Sequence, residues 1–135
     1  NKIKKVTDCS FKEDYDVVFC SRYLPESGSD DDTFIRWLGN KIFSWTLRIL
    51  FGVKITDALF FYALAKTEVY REIEWTTSDF SLCIEVPVKI HQGGYKYTEI
   101  PSRERPRIGG VSKVNAALDG IKIMTSMIKF RLGLK

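Results

Sequence analysis

The run from Thr33 to Phe51 constrains this chain most. Ile35, Leu38, Ile42, Trp45 and Ile49 recur at intervals of three and four, the spacing of one face of an α-helix. Phe34, Trp37, Phe43, Leu47 and Leu50 widen that face, while Arg36, Asn40, Ser44 and Arg48 mark the opposite side. Gly52 is the expected stop. No acidic residue occurs between Phe34 and Lys54, so the helix is cationic as well as broadly apolar. Two environments accept such a helix: the core of a larger domain, or a lipid surface on which tryptophans and basic residues meet the headgroups. The sequence leaves both open.

Elsewhere the apolar period shortens. Asp16 to Tyr23 carries consecutive apolar residues bounded by polar ones, which suits a short strand covered on both faces. Leu59-Phe60-Phe61-Tyr62 reads as another short strand, and Lys66 to Ile73 as a short helix. Tyr95 to Ile100 is β-prone and is stopped by Pro101, which has no N–H for a ladder. From Ser112 onward Val114, Leu118, Ile121, Met124, Ile128 and Leu132 trace an amphipathic helix. Ile123, Met127 and Phe130 broaden its apolar side, and Asp119, Lys122, Ser126 and Lys129 face away. The expectation is a mixed α/β fold with strands at 16–20 and 95–100 and helices near 34–51 and 112–131. Between Ser78 and Gln92 the alternation of Leu82, Ile84, Val86, Val88 and Ile90 has the period of a half-buried strand, and Pro87 is unwelcome inside a helix.

At 135 residues a single domain is expected, long enough to bury a core. A net charge of +4 fits an anionic partner but is small for a nucleic-acid binder, and the basic residues form no long stripe. Cys9, Cys20 and Cys83 are odd in number and unpaired by any CxxC spacing, which argues against zinc and a disulfide framework and for a reducing compartment. No apolar run is long enough for a membrane span, and no stretch reads as a signal peptide. The lone histidine, His91, has no second ligand-type neighbour in the sequence and reads as a surface residue. Chemistry concentrates between Gly94 and Lys113. Arg103, Arg105 and Arg107 alternate along a loop that leads through Gly109-Gly110 to Ser112-Lys113 at a helix start. Guanidinium forks, permissive backbone and a helix N-terminus are the parts that hold phosphate, although a solvated basic loop has the same composition.

Glu99-Ile-Pro followed by Arg107-x-x-Gly110-x-Ser112-Lys113 resembles the end of the catalytic domain of family 2 glycosyltransferases, in particular those that use dolichol phosphate or polyprenol phosphate. Gly94-Tyr95, Asp57 and Asp16-Val-Val-x-x-Ser-Arg-Tyr23 extend the likeness over about Asp16 to Lys129. The resemblance implies the C-terminal, acceptor-side part of a GT-A (Rossmann-like) domain, with a mixed sheet, flanking helices and a C-terminal amphipathic helix. It implies sugar transfer, with inversion, from a nucleotide diphosphate sugar to a polyprenyl phosphate. Arg22, Arg107, Ser112 and Lys113 are then the phosphate contacts, with Arg103 and Arg105 as weaker candidates and Asp57 shaping the acceptor site. It also implies a helix over 80–90, capped by Ser78 and ended by Gly93-Gly94.

A divalent Mg2+ or Mn2+ belongs to such a domain, with its ligands and the nucleotide-binding half expected before Asn1, since both ends of the chain look cut. Asp30-x-Asp32 is not that metal pair, because it follows the Ser-Arg-Tyr segment instead of preceding it. Helix capping explains those carboxylates better. The chain departs from the family where Phe61, Tyr62 and Ala63 replace a glycine-aromatic-arginine step. A cytoplasmic location follows from the likeness, with peripheral attachment at the cytoplasmic membrane face as one form of it. The competing reading is a non-catalytic module that binds phosphate or a membrane surface.

Overall fold

The computed structural model describes residues 4, 8, 14–77, 79–105 and 116–133. Strand β1 (Val17–Ser21) is its centre, and all of its residues are buried, as a run without polar alternation requires. It pairs in parallel with β4 (Tyr97–Pro101), from Val17 opposite Tyr97 to Ser21 opposite Pro101. On its other side it pairs antiparallel with β3 (Ala63–Ala65). Where Pro101 has no N–H to give, the next residue takes over: Ser102 N–H donates to the Ser21 carbonyl at 2.8 Å. Beyond this sheet β2 (Gly28–Ser29) and β5 (Arg103–Glu104) form a small parallel ladder. The strand expected at Leu59 to Tyr62 lies instead at Ala63–Ala65. The Leu59 amide is held by Asn40 on a neighbouring helix and Phe60 is turned onto Arg22, so this part of the chain joins the ladder only afterwards.

Helix α1 (Phe34–Phe51) has the expected bounds. Thr33 is extended and its hydroxyl accepts from the Arg36 amide, so a threonine and not the preceding carboxylates makes the cap. Gly52 closes the helix in the left-handed region at φ 77°, donating to the Arg48 carbonyl. Its buried side is only partly the apolar one: Phe43 and Leu47, from the widened face, are joined in the core by two residues of the polar side, while Arg36 and Arg48 are exposed as expected. Asn40, Phe43, Ser44 and Leu47 are buried, while Ile35, Leu38, Ile42, Trp45 and Ile49 are exposed. Helix α4 (Ala116–Leu132) divides its apolar side in the same way: Ile123 and Met127 enter the core and Leu118, Ile121, Ile128 and Leu132 stay outside. Ser126, expected on the outer side, reaches Ser81 at 2.8 Å.

Between them lie α2 (Thr67–Glu72) and α3 (Leu82–Gln92). The strand-like alternation at 82–90 is therefore helical, as the family likeness implied. Cys83 through Val88 are all buried, so α3 is surrounded by core and needs no single apolar stripe. Its end at Gly93-Gly94 agrees with expectation, Gly94 taking φ 74°, whereas Ser78 lies outside the described residues. The architecture is thus mixed α/β, with a three-stranded mixed sheet and four helices among the described residues. One core joins Phe19, Phe43, Leu47, Val53, Ile55, Ile84, Val88, Ile123 and Met127.

Glu85 is the one carboxylate inside α3. It accepts from the backbone amides and hydroxyls of Thr76 and Thr77 and pairs with Lys89. Burial pushes its carboxyl up, but the bonds from Lys89, Thr76 and Thr77 outweigh burial and lower it to about 2. A depressed folded value contributes stability above the unfolded value near 4.5, lost as pH falls towards 2. Acid titration of the denaturation midpoint should therefore fall steeply in that window, and Glu85→Gln should flatten it. An unchanged acid profile in Glu85→Gln would show that another group governs it.

Candidate functional site

The site is built on the loop from Val53 to Leu59, which passes beneath α1. A buried loop must find partners for its backbone, and three side chains provide them. Asn40 donates to the Thr56 carbonyl at 3.2 Å and accepts from the Leu59 amide at 2.9 Å. Ser44, one turn on, accepts from the Ala58 amide at 3.0 Å. From β4, Glu99 accepts from the Thr56 amide at 2.9 Å and from its hydroxyl, which also meets Ser21 of β1 at 2.6 Å. Burial raises the Glu99 carboxyl above the usual range, with the Thr56 bonds opposing it.

So fixed, the loop directs Asp57 at the carboxyl end of β1. Asp57 accepts the Arg22 amide at 3.0 Å and grips its guanidinium in a fork, with Nε and Nη2 at 2.8 and 2.9 Å. Glu104 of β5 takes Nη1 at 3.0 Å and the Ser29 hydroxyl at 2.8 Å. The guanidinium lies 4.7 Å from the Phe60 ring centre and 5.4 Å from that of Tyr23. Burial presses on the arginine's charge, but Asp57 and then Glu104 outweigh it, so Arg22 is cationic at every accessible pH. A guanidinium carries five N–H donors; among the described residues Asp57 and Glu104 occupy three of them.

Arg22 and Glu104 face a cleft of about 340 Å3 between α1 and α4. Its walls are apolar (Ile35, Phe43, Leu59, Phe60, Phe80 and Ile123), with Arg36 and Asp119 among the polar lining. A cleft with apolar walls, whose polar lining sets Arg22 and Arg36 among Asp31, Glu104 and Asp119, suits an amphiphile whose polar end meets Arg22.

The structure thus brings together Arg22 and Asp57 from the sequence set. Arg103 lies on β5 and pairs at the surface with Asp30 at 2.9 Å, and Arg105 is exposed just beyond. Arg107, Ser112 and Lys113 lie outside the described residues. Asp32 receives the Tyr23 hydroxyl at 2.6 Å, so Asp30 and Asp32 serve neighbouring side chains, and no cluster of three or more metal-ligating groups occurs among the described residues. His91 meets the Tyr97 hydroxyl through Nδ1 at 3.1 Å. Sequence reasoning missed Asn40, Ser44, Glu99 and Glu104 as site residues. For the first two a signal was present: short uncharged polar residues one turn apart weaken a helix interior unless they bond elsewhere.

Asn40→Ala should cost about 2–4 kcal/mol in chemical denaturation, since it strands a buried amide and a buried carbonyl together. Asp57→Asn should cost about 3–5 kcal/mol, because it leaves Arg22 buried with half its partnership gone. Losses under about 0.5 kcal/mol in both variants would mean that the loop is held by packing alone.

No family model matches the chain, and no curated protein matches it.

Proposed function

We propose that this chain is the acceptor-side part of a family 2-type glycosyltransferase that moves a sugar from a nucleotide diphosphate sugar onto a polyprenyl phosphate. The observation that carries the reading is Arg22. It stands at the carboxyl end of a parallel strand pair, where open α/β sheets present residues to ligands, and it is aimed by Asp57 into an apolar cleft. Phosphate at Arg22 and prenyl units along Phe43, Leu59, Phe60 and Phe80 use both characters of the site.

A phosphate acceptor is already anionic and needs no general base. The chain's task is to hold two negative reactants together and steady the departing diphosphate, which calls for preoriented cationic donors. Arg22 would hold the acceptor phosphate by the N–H groups that Asp57 and Glu104 leave available. Arg107, Ser112 and Lys113 are proposed as further phosphate contacts, with Arg103 and Arg105 nearby on the same stretch. A divalent ion would neutralise the diphosphate, with its ligands in the donor half of such a domain.

Farnesyl phosphate should quench or shift tryptophan fluorescence at concentrations where farnesol does not. Arg22→Lys, which keeps the charge and loses the fork, should weaken that binding about tenfold. Equal binding of farnesol, or undiminished binding by Arg22→Lys, would remove Arg22 from acceptor recognition. In a protein that also carries the donor half, Arg107→Lys should lower turnover about tenfold at saturating substrates. Firm prenyl phosphate binding with no transfer in that protein would favour the non-catalytic module.

A further inference from the structure

The outward faces of α1 and α4 are not accounted for by the fold or by the cleft. On α1 Leu38, Ile42, Trp45 and Ile49 lie opposite the buried stripe, with Trp45 65% and Ile49 59% exposed. On α4 Ile121 and Leu132 are each 65% exposed, opposite Ile123 and Met127. Two helices that pack on one another therefore both turn a large apolar stripe away from the core. Water selects the reverse arrangement, so exposed apolar stripes on two neighbouring helices mark a contact. Lys41 and Arg48 border the stripe on α1, and Lys122 and Lys129 border it on α4. No carboxylate occurs from Phe34 to Lys54, and the single acid of α4, Asp119, lines the cleft instead.

We infer that this two-helix face docks on an anionic lipid bilayer. The charge pattern selects that occupant. A second copy would press one basic fringe against another, whereas an anionic bilayer offers an acyl boundary to the stripe and phosphates to the fringe. Trp37 and Trp45 suit the headgroup level, where an apolar ring with one N–H donor is at home. No described helix is long and apolar enough to cross a membrane, so both lie along the surface. Ile35 belongs to the outward stripe and also lines the cleft, which puts the cleft mouth beside the lipid. The docking face extends the reading of the cleft as a lipid-phosphate site but does not depend on it.

The test is sedimentation of the chain with vesicles of phosphatidylcholine alone and of phosphatidylcholine mixed with phosphatidylglycerol. Neither contains a prenyl phosphate, so docking is read apart from acceptor recognition. The wild type should partition into the mixed vesicles, shift its tryptophan emission to the blue and be quenched by brominated acyl chains. Each of Lys41→Gln and Lys129→Gln should lower partitioning about fivefold. Trp45→Glu and Ile128→Glu should abolish it while leaving circular dichroism and thermal midpoint unchanged, because both positions already face solvent. Equal binding to both vesicles, or none to either, overturns the proposal. So does a lipid-free dimer that Trp45→Glu dissolves, which would make a second copy the occupant.

Discussion

Backbone amides buried beneath a helix have to be answered by something, and in this molecule the answer fixes the site. Asn40 and Ser44 reach down from α1, Glu99 reaches across from β4, and the loop between Val53 and Leu59 is bonded from both sides. Its rigidity places Asp57, Asp57 places Arg22, and Arg22 in turn anchors Glu104 of the small ladder. Helix, sheet and ladder are coupled through one chain of hydrogen bonds whose members satisfy each other. Such a network is cooperative, and a break at any link exposes the next to an unmatched buried charge.

The arrangement also sets the terms on which an anion can enter. Arg22 has a carboxylate in permanent attendance, since the Asp57 side chain is wholly buried, and a second one at the more accessible edge in Glu104. One guanidinium faces two carboxylates, so these three groups together attract no anion from afar before a ligand arrives. A ligand is recognised by the orientation of the remaining N–H donors and by the apolar walls, more than by attraction from a distance. That favours a molecule with a long apolar part over a small soluble anion.

Much of the fold was legible in the sequence because it rests on local signals. The consecutive apolar residues from Val17 to Cys20 fixed a two-sided strand, and Gly52 fixed the end of α1. The inward and outward faces of α1 and α4 were not legible, for a physical reason. Hydrophobic periodicity identifies the apolar side of a helix but not what lies against it. Two residues of the polar side of α1, Asn40 and Ser44, are buried because a distant loop needs them. In α3 the reverse difficulty arose: a helix covered on all sides carries no helical stripe, and chance alternation imitated a strand. At the site Asp57 and Arg22 could be picked out by likeness to a family, while Glu104 becomes a neighbour only through the β2–β5 ladder. No spacing along the chain announces that contact.

Three strands make a narrow sheet, and among the described residues its middle strand alone is paired on both sides. Among the described residues the outer edges of β3 and β4 carry no further strand, so each offers backbone donors and acceptors to an extended segment. The edge of β4 is partly screened by the loop that Glu99 holds, and Pro101 blunts its end. Among the described residues the edge of β3 has no such screen, and it carries the half-exposed Leu64. Sheet growth is thus more open on the β3 side. Handled by itself at high concentration, the chain is most exposed there to strand exchange between molecules. A charged residue in place of Leu64 is the economical means of keeping it monodisperse.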